Sequence, residues 1–161
     1  MVKDKILYLG PNESFNLVKE NLKEFDLFNY FDDKSILLKK NDFICIVDAY
    51  MKVNFTEKLL KYFVDLKLFI TATTGSNHID ENFLKSKNIP LITLKGEKDF
   101  LKQITPAAEH SWLLLLMCAR KIKPVFRDVE KLKWERNNHP GIMLNGKTLG
   151  IIGCGRIGSW M

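Results

Sequence analysis

Short apolar runs alternate with amphipathic stretches and polar connections over the first part of the chain. Lys5 to Leu9 (KILYL) predicts a first strand, which Gly10-Pro11 breaks. Asn12 is placed to cap a helix through Lys23, with Phe15, Leu17, Val18 and Leu22 in partial helical period. Asp26 to Phe31 predicts a second strand and Lys34 to Lys40 a short helix. Phe43 to Val47 (FICIV) is apolar throughout, as a strand covered on both faces requires. Thr56 is placed to cap a helix through Phe63 that puts Leu59, Leu60 and Phe63 on one side. Lys67 to Ala72, Asp80 to Lys87 and Pro90 to Leu94 then predict a strand, a helix and a fifth strand. Alternating βαβ units of this size predict an α/β fold, a parallel sheet with helices on both faces. The expected arrangement is flavodoxin-like, with strand order 2-1-3-4-5.

The pattern changes after Gly96. Glu97 to Ile104 reads as a helix, and Thr105 is placed to cap a longer one with Pro106 at its first position. That helix, Ala107 to Lys121, contains Trp112-Leu113-Leu114-Leu115-Leu116-Met117. A helix apolar all round is expected to be buried on several sides. Pro124 is expected to interrupt the next segment, and a polar helix to run to about Asn137. His139-Pro140-Gly141 turns the chain toward a last strand, Leu149 to Ile152. Residues 1–104 are expected to form one domain and 105–161 the start of a second.

That last strand runs into Gly153, Gly155 and Gly158, spaced G-x-G-x-x-G. In this motif the first glycine makes a tight turn and the second lets backbone approach a pyrophosphate. The third lets a new helix pack closely, and the N-terminus of that helix favours the phosphates. The spacing alone also fits an ordinary strand-turn-helix corner; the strand directly before it strengthens the dinucleotide reading.

Composition narrows the classes. The chain has 161 residues, is 46% hydrophobic, and carries a net charge of +6. That describes a folded protein rather than a disordered one. No apolar run reaches the ~18 residues of a membrane span, so no membrane partner is expected. Lysines outnumber the four arginines and are spread along the chain. A nucleic-acid footprint would be a clustered stripe, so no nucleic acid is expected either. Cys45, Cys118 and Cys154 lack metal-ligand spacing. Reduced thiols, a cytoplasmic location and no metal site follow as expectations.

The candidate chemistry lies in loops. Thr73-Thr74-Gly75-Ser76-Asn77-His78 follows the carboxyl end of the fourth strand, where open parallel sheets bind ligands. Gly75 permits close approach or a positive φ, and Ser76 and Asn77 add hydrogen-bonding groups. The same residues also make an ordinary turn with Asn77 or Asp80 as a helix cap. His78 is placed to touch a ligand, whereas His110 and His139 read as structural. Glu109-His110 is a candidate polar contact, and Trp134-x-Arg136 reads as packing plus a surface charge. Arg120 complements a helix dipole.

Taken in order, Thr74-Gly75-Ser76-Asn77-His78-Ile79-Asp80, Ala108-Glu109-His110, Arg120, Trp134-x-Arg136 and the run from Gly146 to Gly158 resemble the D-isomer-specific 2-hydroxyacid dehydrogenases. The resemblance covers roughly Ile44 to the end and is most specific from Gly146 to Gly158. It implies a flavodoxin-like substrate domain, a Rossmann cofactor domain, and hydride transfer between NAD(H), or NADP(H), and a small 2-hydroxy or 2-oxo acid. It implies that Thr74, Gly75 and Ser76 hold the substrate carboxylate and that Gln103 lies near the substrate. Gly153, Gly155, Arg156, Ile157 and Gly158 would hold the cofactor pyrophosphate. A second subunit is implied, giving a homodimer or larger homo-oligomer. Gln103 stands where many members have asparagine, and Leu94-Lys95-Gly96-Glu97 replaces a common Asn-x-Pro-Gly pattern. The resemblance puts the catalytic arginine, acid and histidine beyond Met161. The chain therefore reads as an amino-terminal fragment, inactive alone and binding no cofactor by itself. The alternative is a non-enzymatic ligand-binding or association module.

Overall fold

The computed structural model describes residues 3–32, 34–38 and 42–161. It falls into two compact units, residues 1–97 and 98–161.

In the first unit, β1 (Lys5–Leu9), β2 (Asp26–Asn29), β3 (Phe43–Asp48), β4 (Leu68–Thr71) and β5 (Leu91–Thr93) form one sheet in the order β2-β1-β3-β4-β5. Every strand pair is parallel. This is the expected flavodoxin-like order. The helices of this unit are α1 (Asn12–Asn21), α2 (Glu57–Leu60) and α3 (Glu81–Ser86). Leu7, Leu9, Ile46, Phe55, Leu60, Phe69 and Leu84 are fully buried, and Phe55 meets Phe69 edge-on at 4.8 Å. Burying each such side chain contributes about 1.5–3 kcal/mol, and this core fixes the register that aims the strand ends.

Several predicted ends move for local reasons. Asn12 opens α1 but does not cap it; its Oδ1 accepts from Asn29 Nδ2 at the end of β2 (2.5 Å). β2 stops at Asn29 because Asn29 Oδ1 accepts from Phe31 N–H (3.1 Å), which turns the chain out of the sheet. The predicted helix from Lys34 is a 3-10 helix, Lys34–Leu38; Lys39 and Lys40 lie outside the described residues. The helix after Thr56 has a single α turn, with no side-chain cap, before tighter turns carry Phe63 into the core. Asp80 does cap α3, its Oδ1 accepting from Phe83 N–H (3.0 Å).

The second unit contains α4 (Lys98–Lys102), α5 (Pro106–Ala119) and α6 (Ile122–Glu130). Pro106 occupies the first turn of α5, but Thr105 bonds Glu109 through its hydroxyl instead of capping. Pro124 does not interrupt α6. It lies in the first turn, where no N–H is needed, and the break comes earlier, at Lys121, with φ +51. Two expectations fail here. The apolar stretch of α5 is not buried on several sides: Leu113, Leu114 and Leu116 are about half exposed. Leu149–Ile152 is not a strand either, and Ile152 is fully exposed. A parallel strand requires a neighbour for its N–H and C=O groups. Among the described residues none pairs with these four.

Candidate functional site

At the carboxyl end of β4 the chain turns through Thr73 to His78. Thr71 Oγ1 donates to Thr73 Oγ1 (2.8 Å), because the single hydroxyl proton of Thr73 goes to Gly75 C=O (2.6 Å). Thr73 C=O accepts from Leu94 N–H (2.9 Å), and Ser76 C=O from Ile79 N–H (2.9 Å). The carbonyls of Thr73, Gly75 and Ser76 are thus occupied. The backbone N–H groups of Thr74, Gly75 and Ser76 meet no acceptor among the described residues. Gly75 does not have a positive φ. Its contribution is room, since a Cβ there would meet nothing within 4 Å.

Ser76 Oγ donates to Glu81 Oε1 (2.5 Å), so its hydroxyl is engaged within the protein. That bond is the main reason the Glu81 carboxyl is held below the usual carboxylate range, helped by the charges of Lys85 and Lys95 and opposed by desolvation.

His78 faces inward, not toward a ligand as its place in the loop suggests. Its ring is buried, with Nε2 2.7 Å from Oδ2 of Asp48, the last residue of β3, which is 0% exposed. Sequence reasoning missed this partner. The only sign was an acidic residue at the end of an apolar strand, where burial demands compensation.

The remaining predicted residues lie in the second unit. Gln103 is exposed in the turn after α4. Gly153 has φ +88, as a tight turn needs, and a Cβ on Gly155 would meet nothing within 4 Å. A Cβ on Gly158 would lie 2.6 Å from the Gly153 carbonyl oxygen. These glycines fit a backbone cradle for a pyrophosphate. The helix they should open is a 3-10 turn, Gly158–Trp160. Arg156 donates through Nη1 to Ile104 C=O (2.9 Å), and Ile157 is partly exposed.

Arg120, Trp134, Arg136 and His139 border a cavity of about 390 Å³. His139 Nε2 lies 2.7 Å from Asp128 Oδ2, a pairing with no sequence signal, and Trp134 is 88% exposed rather than packed. His110 is exposed, and Glu109 pairs with Thr105 rather than with it. Among the described residues no group of His, Cys, Asp or Glu is arranged to hold a metal, and no helix is long and apolar enough to cross a membrane.

Residues 112–161 match the family model described as D-isomer specific 2-hydroxyacid dehydrogenase, NAD binding domain. A hydroxypyruvate reductase of Thermotoga maritima is 28% identical over 156 residues, covering 97% of this chain and 46% of that protein. The chain is thus similar to the D-isomer-specific 2-hydroxyacid dehydrogenases, and residues 112–161 match the NAD-binding domain of that family. A D-3-phosphoglycerate dehydrogenase of Archaeoglobus fulgidus is 38% identical over 94 residues, 58% of this chain and 17% of that one. Among solved structures, a D-lactate dehydrogenase from Aquifex aeolicus, complexed with NAD and lactic acid, is similar at TM-score 0.78 and 28% identity. It is matched over 96% of this chain and 46% of its own. An NAD-dependent formate dehydrogenase from Staphylococcus aureus, in complex with NAD, gives 0.77 and 25%, with 96% and 51% covered. The chain thus spans about half or less of the length of these proteins.

Proposed function

We propose that this chain supplies the carboxylate-binding loop and the opening of the cofactor loop of an NAD-dependent oxidoreductase. The reaction moves a hydride between the nicotinamide and a small 2-hydroxy or 2-oxo acid. The observation that carries the reading is the set of consecutive N–H groups on Thr74, Gly75 and Ser76, without an acceptor among the described residues, at the carboxyl end of a parallel strand. Such donors attract a carboxylate, and charge-assisted hydrogen bonds are roughly twice as strong as neutral ones. Holding the carboxylate there orients the carbon that reacts, and orientation is a large part of catalysis. NAD, when bound, supplies the hydride acceptor. Gly153, Gly155, Arg156, Ile157 and Gly158 would face its pyrophosphate, and Gln103 would lie beside the acid; NAD is taken as the cofactor, with NADP as the alternative, because two of the matched neighbours contain NAD.

Residues 1–104 then act as the substrate domain and 105–161 as the beginning of the cofactor domain. None of the three histidines is assigned the acid–base role. His78 is committed to Asp48, His139 to Asp128, and His110 is exposed on α5 with no partner among the described residues. NADH-linked reduction of glyoxylate by this chain should therefore proceed at the rate of a blank.

Exposed apolar residues on α5 and α6, among them Leu113, Leu114, Leu116 and Phe126, support a second copy of the chain as their cover. Light scattering should give a dimer that an Ile104-terminated version fails to form.

The loop reading is tested by titrating the ¹⁵N-labelled chain with oxamate. The Thr74, Gly75 and Ser76 amides should shift, and Gly75→Val should abolish the shift by filling the approach. Unmoved amides in the wild-type chain would remove the loop from the site.

A further inference from the structure

His78 is a buried histidine that the proposed reaction leaves without a task. Its side chain is 8% exposed and that of Asp48 0%. A carboxylate so deeply buried persists only if donors surround it. Asp48 Oδ1 accepts from the N–H groups of Tyr50 (3.0 Å) and Met51 (3.1 Å). Oδ2 has His78 Nε2 at 2.7 Å, and the proton must therefore sit on Nε2. The other ring nitrogen, Nδ1, is buried with no partner among the described residues. The ring is thus oriented by one bond only, the bond to Asp48.

That bond closes a set of ties between the segment after β4 and the segment after β3. Ala72 N–H donates to Asp48 C=O (2.8 Å) at the start of the loop. At its far end Phe55 N–H donates to His78 C=O (2.7 Å) and Asp80 N–H to Phe55 C=O (2.9 Å). Thr74, Gly75 and Ser76 hang between these two fastenings. Donors aimed at an anion work only when they are held before it arrives.

We propose that His78 is a positioning residue: through Nε2 on Asp48 it fixes the loop so that the Thr74–Ser76 amides stand ready for one anion. This rests on the reading of those amides as the carboxylate site. His78 itself never touches the acid; it acts through the loop it anchors.

Gln carries a donor at the position of Nε2, and Phe carries none. His78→Gln should bind oxamate within threefold of wild type, whereas His78→Phe should bind at least tenfold more weakly. In His78→Phe, hydrogen exchange should rise at least tenfold at the bonded amides that fasten the loop, Phe55, Ile79 and Asp80, while the amides of β1, β3 and β4 keep their protection. Equal losses in the two variants, or unchanged exchange at Phe55, Ile79 and Asp80 in His78→Phe, would overturn the proposal. If wild type shows no oxamate shifts, the site reading fails, and the exchange comparison still judges whether the pair fixes the loop. If His78→Phe does not fold, the wild-type ring decides: long-range ¹H–¹⁵N spectra should show the Nε2–H tautomer, and an Nδ1–H tautomer would refute the proposal.

Discussion

The glycine loop matches its motif more closely than the Gly75 loop matches any, yet the structure builds the frame of the second and not of the first. The Gly75 loop hangs from β4, paired on both sides by β3 and β5. Its neighbours hold it through Asp48, Phe55 and Leu94. The Gly153 loop hangs from Leu149–Ile152, which has no strand beside it among the described residues and an Ile152 wholly in solvent. A motif records what a backbone can do once its strand is paired; the pairing comes from elsewhere in the fold. In the first unit the chain itself supplies it.

Mutations should expose that contrast. Phe69→Ala empties a fully buried position in the sheet and should cost about 3–5 kcal/mol in denaturant unfolding. Leu114→Ala, at a half-exposed position on α5, should cost under ~1 kcal/mol in dilute protein and weaken association at high concentration. A large dilute-protein loss at Leu114 would mean that the second unit buries its own core.

Thiol labelling separates the same regions. Cys45 is buried in β3, and burial pushes its thiol up to about 11, while Cys118 and Cys154 are exposed. At neutral pH two thiols should react promptly and Cys45 only on unfolding. Fast reaction at Cys45 would contradict a closed sheet core.

Smaller effects sharpen the picture of the loop. Asp80→Ala removes the cap of α3 and should cost about 0.5–2 kcal/mol, read from the unfolding midpoint. Ser76→Ala should move the Glu81 titration upward, since the Ser76 hydroxyl is the main cause of its lowering. A carboxyl lowered by folding adds stability above its unfolded value, which is lost as pH falls through the folded one. Glu81 is half-exposed and screened, so the readout is its NMR titration, and an unmoved curve would deny the Ser76 bond its role.

The sheet was legible because FICIV and KILYL are short, apolar and separated by turn residues, leaving few alternatives to buried parallel strands. The end of β2 was not, because it depends on Asn29 reaching the backbone of Phe31. The Gly75 loop was legible from its place after a strand. The inward turn of His78 was not, because Asp48 is thirty residues away and only the β3–β4 pairing brings it near. Leu149–Ile152 misled because its apolar run fits a buried strand, while burial requires partners that local sequence cannot supply.

Amide hydrogen exchange across the whole chain tests the central claim most directly. The amides of Leu7, Ile46 and Phe69 should exchange only through global unfolding, and those of Leu149 to Ile152 close to the rate of an unstructured peptide. Protection at Leu149–Ile152 equal to that at Ile46 would contradict it, because the second loop would then have a paired strand behind it as the first does.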